Sequence, residues 1–331
     1  MKAILYRAYG SPDVLRLEDV EKPTPGDGEV LVRIRAASVN PLDRHLMRGE
    51  PYAMRPMTGL RRPKDPRLGV DVAGEVEAIG NGVTRFQPGD AVFGSSDGAF
   101  AEYACAREKD LARKPANLTF EQAAAVPVAG LTSLQGLRDS GRVQPGQKVL
   151  INGAAGGVGT FAVQIAKSFG ADVTGVCSTR NVDMVHSIGA DSVVDYTKEN
   201  FTRSGTRYDL IFDCMGNHSL WACRRILKPR GIYIIVGPAG RWIAPLPRLV
   251  RALLLSRFVS QNLFILMSKR SAEDLTIIGE LMQAGQVTPV IDRCYPLSDV
   301  PEAIRYLEEG HARGKVVITV SRDKGIAKEA P

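Results

Sequence analysis

The sequence predicts an α/β protein in two parts: a β-rich region over residues 1–118, then a doubly wound parallel sheet. Three observations carry that reading. At 331 residues the chain is longer than one hydrophobic core usually supports. Residues 1–118 hold short apolar or alternating runs, KAILY, EVLVRIRAASV, DVAGEVEAIG and DAVFG. Turn formers such as TPGDG, GNGV and QPGD divide them, the texture of a compact β-barrel-like domain. From Lys148 apolar strands alternate with helical stretches: KVLIN, GVGTFAVQIAKSFG, DVTGVC, NVDMVHSIG, SVVDY, DLIFDCM, SLWACRRIL and GIYIIVG. Such alternation requires a parallel sheet covered by helices on both faces.

Between the two parts, TFEQAAAVPVAGLTSLQGL has helical composition, with Thr119 as N-cap and Glu121 and Gln122 in the first turn. After Ser268 come two helical stretches, AEDLTIIGELMQAG and VPEAIRYLEEG, and a last strand, GKVVITV, which need not join the parallel sheet. The expected division is therefore 1–118, 119–267 and a C-terminal segment 268–331.

Composition excludes several classes. With 44% hydrophobic and 24% charged residues the chain is neither disordered nor disulfide-rich. Its five cysteines are scattered without a C-x-x-C pair, and no cationic leader precedes an apolar run, so reduced thiols and a cytoplasmic address are expected. The formal net charge is +7, yet no dense basic block interleaved with aromatics is present, so nucleic acid is not an expected partner. The most apolar segment, Ile243 to Met267, is interrupted by Arg248, Arg251 and Arg257 and broken by Pro245 and Pro247. It is too interrupted to span a bilayer and reads as an amphipathic helix over a substrate pocket or against a partner, with a helix lying on a membrane surface as the alternative.

The stretch INGAAGGVGTF, Ile151 to Phe161, joins the first strand of the second part to its helix. Glycines there allow positive φ and let a ligand touch bare backbone, so Ala155, Gly156, Gly157 and Val158 are expected to face a dinucleotide pyrophosphate. An NAD-specific site places an acidic side chain at the end of the second strand. Here that end reads VCSTRN: Ser178 and Thr179 offer hydroxyls and Arg180 a guanidinium suited to a 2′-phosphate, which favours NADPH. The alternative for Arg180 is an exposed residue at a helix start.

AASVNPLDRHLMRG, LGVDVAGEVEAIGNGVTRFQPGDAVFG, AAAVPVAGLTSLQGL, GAAGGVG and GKVVI, in that order, resemble the medium-chain dehydrogenase/reductase superfamily, in particular its zinc-free quinone oxidoreductase branch. The resemblance covers nearly the whole chain. It implies a GroES-like β-barrel catalytic domain, built from both chain ends, around an inserted Rossmann cofactor domain. Where zinc members carry G-H-E, this chain has Gly69, Val70 and Asp71, and no four-cysteine lobe lies between Val92 and Cys105. The metal ligands are therefore expected to be missing, and His45, His186, His218 and His311 stand alone. Without a Lewis acid, hydride passes most readily to an acceptor polarised by its own conjugation, a quinone or an enone.

By the match to the family's V-N-P-x-D motif, Asn40 is expected near the nicotinamide ribose and the substrate, with Asp43 either beside it or capping the next turn. Thr132 is expected to approach the nicotinamide amide or, alternatively, to bond within its helix. Tyr196 resembles the family tyrosine next to the adenosine phosphate. Tyr52 could donate its phenol to a substrate oxygen or serve as a buried structural residue. The basic stretch from Pro51 to Leu68 is long for a loop, and Arg241 to Met267 is expected to shape the pocket and dimer contacts. Two competing functions stay open: an enoyl-thioester reductase, with Arg55 to Arg67 holding a phosphate, and a cofactor-sensing or RNA-binding protein with little turnover.

Overall fold

The computed structural model describes residues 1–52, 55–236 and 261–320. In chain order the N-terminal elements are β1 (Lys2–Tyr6), β2 (Leu15–Asp19), β3 (Glu29–Val39), α1 (Pro41–Arg48) and the short α2 (Arg55–Thr58). Next come β4 (Asp71–Ile79), β5 (Ala91–Ser95), β6 (Tyr103–Arg107), β7 (Leu111–Arg113), α3 (Phe120–Ala124) and α4 (Pro127–Gln135). The middle holds β8 (Lys148–Asn152), α5 (Gly157–Ser168), β9 (Asp172–Cys177), α6 (Val182–Ser187), β10 (Ser192–Asp195), β11 (Tyr208–Asp213), α7 (Leu220–Arg225), β12 (Leu227–Val236) and β13 (Asn262–Leu266). The chain closes with α8 (Ala272–Gln283), β14 (Ile291–Pro296), α9 (Val300–Glu308) and β15 (Lys315–Thr319).

Apolar runs on β8 to β13 build a six-stranded parallel sheet in the order β10-β9-β8-β11-β12-β13. The order reverses at β8 and β11, and a doubly wound sheet opens its ligand crevice at the carboxyl ends of strands at such a switch point. The second sheet runs β14-β15-β3-β4-β5-β7, with β6 also on β3, and all its pairings except β14 to β15 are antiparallel. Strands from both ends of the chain thus share one GroES-like sheet, and β15 sits in its interior against β3. The cores are closely packed: Phe93, Phe100, Phe161 and Phe212 are all fully buried, each side chain stabilising the fold by about 1.5 to 3 kcal/mol.

Thr119 caps α3, its side chain accepting from the Gln122 N–H at 3.2 Å while Gln122 reaches back to the Thr119 N–H at 2.9 Å. The helical stretch is divided because Pro127 starts a new helix, α4. α3 packs on β3, β4, β5 and β15, whereas α4 lies against α5 and α8 and so bridges the two sheets.

Two sequence expectations change. Within Ile243 to Met267, residues 243–260 lie outside the described residues, but Asn262 to Leu266 form an edge strand rather than an amphipathic helix. NLFIL is a short apolar run without helical spacing, and it completes β12 by parallel pairing. Tyr52 is not buried: it is 69% exposed and stacks on the Arg55 guanidinium, 4.5 Å away. The end of the basic loop packs on β1, with the Tyr6 N–H bonded to the Pro66 carbonyl at 2.8 Å.

Candidate active site

β8 delivers the glycine turn to the switch point. Gly153 has φ of +86°, a conformation that side chains rarely adopt, and so turns the chain out of the sheet. A Cβ on Gly159 would stand 2.1 Å from the Gly153 carbonyl oxygen, so only glycine lets α5 pack this close to the turn. Gly156 is the N-cap residue with extended backbone, and among the described residues no side chain caps the helix. The first-turn N–H groups, from Gly157 and Val158 onward, are left for a ligand, and the helix dipole favours an anion there. A Cβ on Gly156 would meet nothing nearer than 3.5 Å, so the turn has room for a pyrophosphate. The backbone fits the implied dinucleotide.

The turn is braced from two sides. The Gly314 N–H bonds the Ala155 carbonyl at 2.8 Å, and the Ser133 hydroxyl reaches the Val158 carbonyl at 2.9 Å. Ala155 itself is buried. The N–H groups of Met215 and Gly216 bond Asp213 Oδ1, both at 2.9 Å, and the Tyr233 phenol bonds Oδ2 at 2.5 Å. This buried carboxylate holds the loop after β11 against the glycine turn.

β9 ends at Ser178, Thr179 and Arg180, but the three differ in what they can offer. The Thr179 hydroxyl gives its proton to Asp195 Oδ2 at 2.6 Å and has only lone pairs left. Ser178 Oγ accepts from Asn181 Nδ2 at 3.2 Å and keeps its proton for a ligand. Arg180 is exposed and donates one N–H to the His311 carbonyl at 2.6 Å, which leaves the rest of its fork free. Tyr196 is 55% exposed beside them, its N–H bonded to the Cys177 carbonyl at 3.0 Å. Asp195, one strand over, was invisible in the sequence pattern. Donation from the Thr179 hydroxyl, then from Thr197 and Lys198, outweighs burial and lowers its pKa to about 2.

The opposite wall is a buried polar cluster. Asp71, fully buried, accepts from the Ser38 hydroxyl at 2.7 Å, Asn40 Nδ2 at 2.9 Å, the Val128 N–H at 2.9 Å and Lys315 Nζ at 3.2 Å. Lys315 is 3% exposed and also reaches Asn40 Oδ1 at 2.6 Å. The cluster ties β3, β4, β15 and the start of α4 to one point. Asp43 Oδ2 accepts the Asn40 N–H at 2.7 Å, the capping arrangement, while its Oδ1 has no partner. Burial first, then the nearby Asp71, raises the Asp43 pKa to about 7 against the pull of that N–H and of Lys315. Thr132 donates to the Val128 carbonyl at 2.6 Å, and its Oγ1 lies 2.9 Å from the Ser268 hydroxyl.

The structure thus brings together Asn40, Asp43, Thr132 and the glycine turn, and leaves Tyr52 on the exposed loop. Sequence reasoning quoted Asp71 only within the G-V-D that stands in place of the zinc members' G-H-E, and Lys315 only as part of GKVVI. A lysine opening an apolar strand, and a carboxylate in place of a metal-binding motif, were the signals for their pairing. Among the described residues no three His, Cys, Asp or Glu side chains converge as a metal site. No helix among them is long and apolar enough to cross a membrane.

Residues 26–116 match the alcohol dehydrogenase GroES-like domain, and residues 188–318 match a family described as zinc-binding dehydrogenase. The chloroplast envelope quinone oxidoreductase homolog of Arabidopsis thaliana is 35% identical over 96% of this chain and 98% of its own. An NADPH-dependent alkenal/one oxidoreductase of the same plant is 34% identical over 96% of this chain and 79% of its own. The quinone oxidoreductase of Coxiella burnetii superposes with a TM-score of 0.85 at 32% identity, covering 97% of this chain and 99% of its own. With its six-stranded parallel sheet, its GroES-like sheet, its glycine turn and these relatives, the chain belongs to the medium-chain dehydrogenase/reductase superfamily, among the quinone oxidoreductases.

Proposed function

We propose that this protein is an NADPH-dependent reductase of quinones or α,β-unsaturated carbonyls that works without a metal ion. The observation that carries it is the saturation of Asp71. Val70 stands where zinc members carry their metal-binding His, and beside it this carboxylate already accepts four hydrogen bonds, one of them from a buried ammonium. An acceptor polarised by conjugation needs no Lewis acid, because charge from the added hydride spreads onto oxygen.

NADPH bound in the crevice supplies the hydride. The first-turn N–H groups of α5 hold the pyrophosphate. Ser178, the free part of the Arg180 fork and the Tyr196 phenol face the 2′-phosphate, while the Thr179 hydroxyl serves Asp195 instead. Thr132 lines the nicotinamide end, and α4 and the Asn40 cluster close that end against water. The relative named as an NADPH-dependent alkenal/one oxidoreductase supports both the cofactor and the acceptor class.

The same reading includes a homodimer and a cytoplasmic address. β13 is an edge strand with Phe264, Ile265 and the following Met267 exposed, which suits pairing with a second copy. All five thiols are free. One feature favours thioester acceptors within the enone class: Arg61 and Arg62 are exposed on the loop after α2 and have no ion pair among the described residues. NADPH-consumption kinetics over quinones, enones, enoyl thioesters and simple alcohols, with and without a chelator, tests the assignment. Conjugated acceptors should be reduced and chelation should change nothing; faster turnover of simple alcohols, or loss of activity on chelation, overturns it.

A further inference from the structure

The orientation of the Asn40 amide is decided by a lysine. An ammonium can only donate, so the amide atom 2.6 Å from Lys315 Nζ is the oxygen. The nitrogen then faces Asp71 at 2.9 Å and the Ser38 carbonyl at 3.3 Å, and both its protons are used. Asn40 has no N–H left to offer a substrate oxygen. What remains is the second lone pair of Oδ1, which suits a hydroxyl donor.

The same lysine runs along the glycine turn. A Cβ on Gly157 would lie 3.0 Å from Lys315 Cδ, and the neighbouring Gly314 holds Ala155 by its N–H at 2.8 Å. β15 belongs to the second, GroES-like sheet, so Lys315 spans from the pyrophosphate turn of one domain to the Asn40 amide of the other. A residue needed only to neutralise Asp71 would not have to meet both.

We propose that Lys315 is a positioning residue for hydride transfer. It fixes the Asn40 oxygen as an acceptor for a hydroxyl of the nicotinamide ribose, and thereby sets where the nicotinamide ring stands relative to the acceptor. Lys315 touches no reacting atom and acts through Asn40. The role rests on the nicotinamide-cofactor reading above.

Lys315→Met alone strands the Asp71 charge in the interior, so the test variant is Asp71→Asn/Lys315→Met, which removes both charges. It is assayed with NADPH and with analogues lacking the 2′- or the 3′-hydroxyl of the nicotinamide ribose. With NADPH, kcat should fall about tenfold or more while the acceptor KM changes less than about threefold. With one of the two analogues the same variant should change kcat by less than about twofold, because the contact is already gone. Asn40→Ala leaves the Lys315 and Asp71 pair in place and should show the same loss and the same failure of additivity, which covers a double variant that does not fold. The cycle is also read in cofactor affinity by fluorescence titration. Penalties that multiply with both analogues, or an unchanged kcat in the folded double variant, overturn the role of Lys315. A wild-type protein that reduces none of the acceptors but keeps the coupling in affinity overturns the reaction class and leaves Lys315 its role.

Discussion

Two carboxylates on opposite sides of the crevice respond to burial in opposite ways. Asp43, beside the Asn40 cluster, has one N–H donor on Oδ2 and none on Oδ1, and burial carries its pKa up to about 7. Asp195, at the adenosine end, is served by the hydroxyls of Thr179 and Thr197, the Thr197 N–H and Lys198, and titrates at about 2. Burial raises a carboxylate pKa where donors are few and is outweighed where they are many. The Asn40 side is sealed, its polar groups paired with one another out of water. The end of β9 is open, with Thr179 and Arg180 exposed to water and salt.

The sharpest way to break this contrast is to strand a charge on the sealed side. Asp71→Ala leaves Lys315 buried without its counter-ion and should cost about 3 to 5 kcal/mol of stability by urea unfolding. A loss below about 1 kcal/mol would mean that water already reaches the cluster.

Asp43 gives the next effect, through pH. Its pKa is raised from 3.8 to about 7, so between those values the unfolded chain releases a proton that the folded protein keeps. Stability from this group is full below about pH 4 and is lost as pH rises through about 7, by up to about 4 kcal/mol. Asp43→Asn should flatten the stability profile over that window. A variant with the wild-type slope would place the titration elsewhere.

On the open side the effects shrink. Arg180→Ala should weaken NADPH about tenfold and NADH less than about twofold, and added salt should erode the difference. Equal weakening of both cofactors would remove Arg180 from the 2′-phosphate. Smaller still is the split between two neighbours: Ser178→Ala should weaken NADPH about threefold to fivefold, whereas removing the Thr179 hydroxyl as Thr179→Val should change it less than about twofold. Isothermal titration of both variants reads this directly, and the reverse ranking would mean that Thr179 turns from Asp195 to the phosphate.

Local chemistry made part of this readable from sequence. The glycine turn, the Thr119 cap and the alternating strands depend on residues a few positions apart, so pattern alone placed them. The Asn40 cluster depends on Lys315 meeting Asp71 across 244 positions, and no spacing rule reports such a contact. The roles at VCSTRN were readable as residue types only. Which of these hydroxyls is already engaged depends on Asp195, which arrives on the neighbouring strand and takes the Thr179 proton. Of the two readings of Tyr52, the buried structural one fails, because an aromatic in a loop carries no sign of which way the loop faces.

The placement of β15 in the interior of the second sheet has a consequence for biosynthesis. At a translation rate of about 5 to 20 residues per second, Asp71 leaves the ribosome roughly 10 to 50 seconds before Lys315. Until then β3 and β4 face each other with an uncompensated carboxylate and an open strand edge. The catalytic half cannot complete its sheet until the nucleotide-binding half has been made.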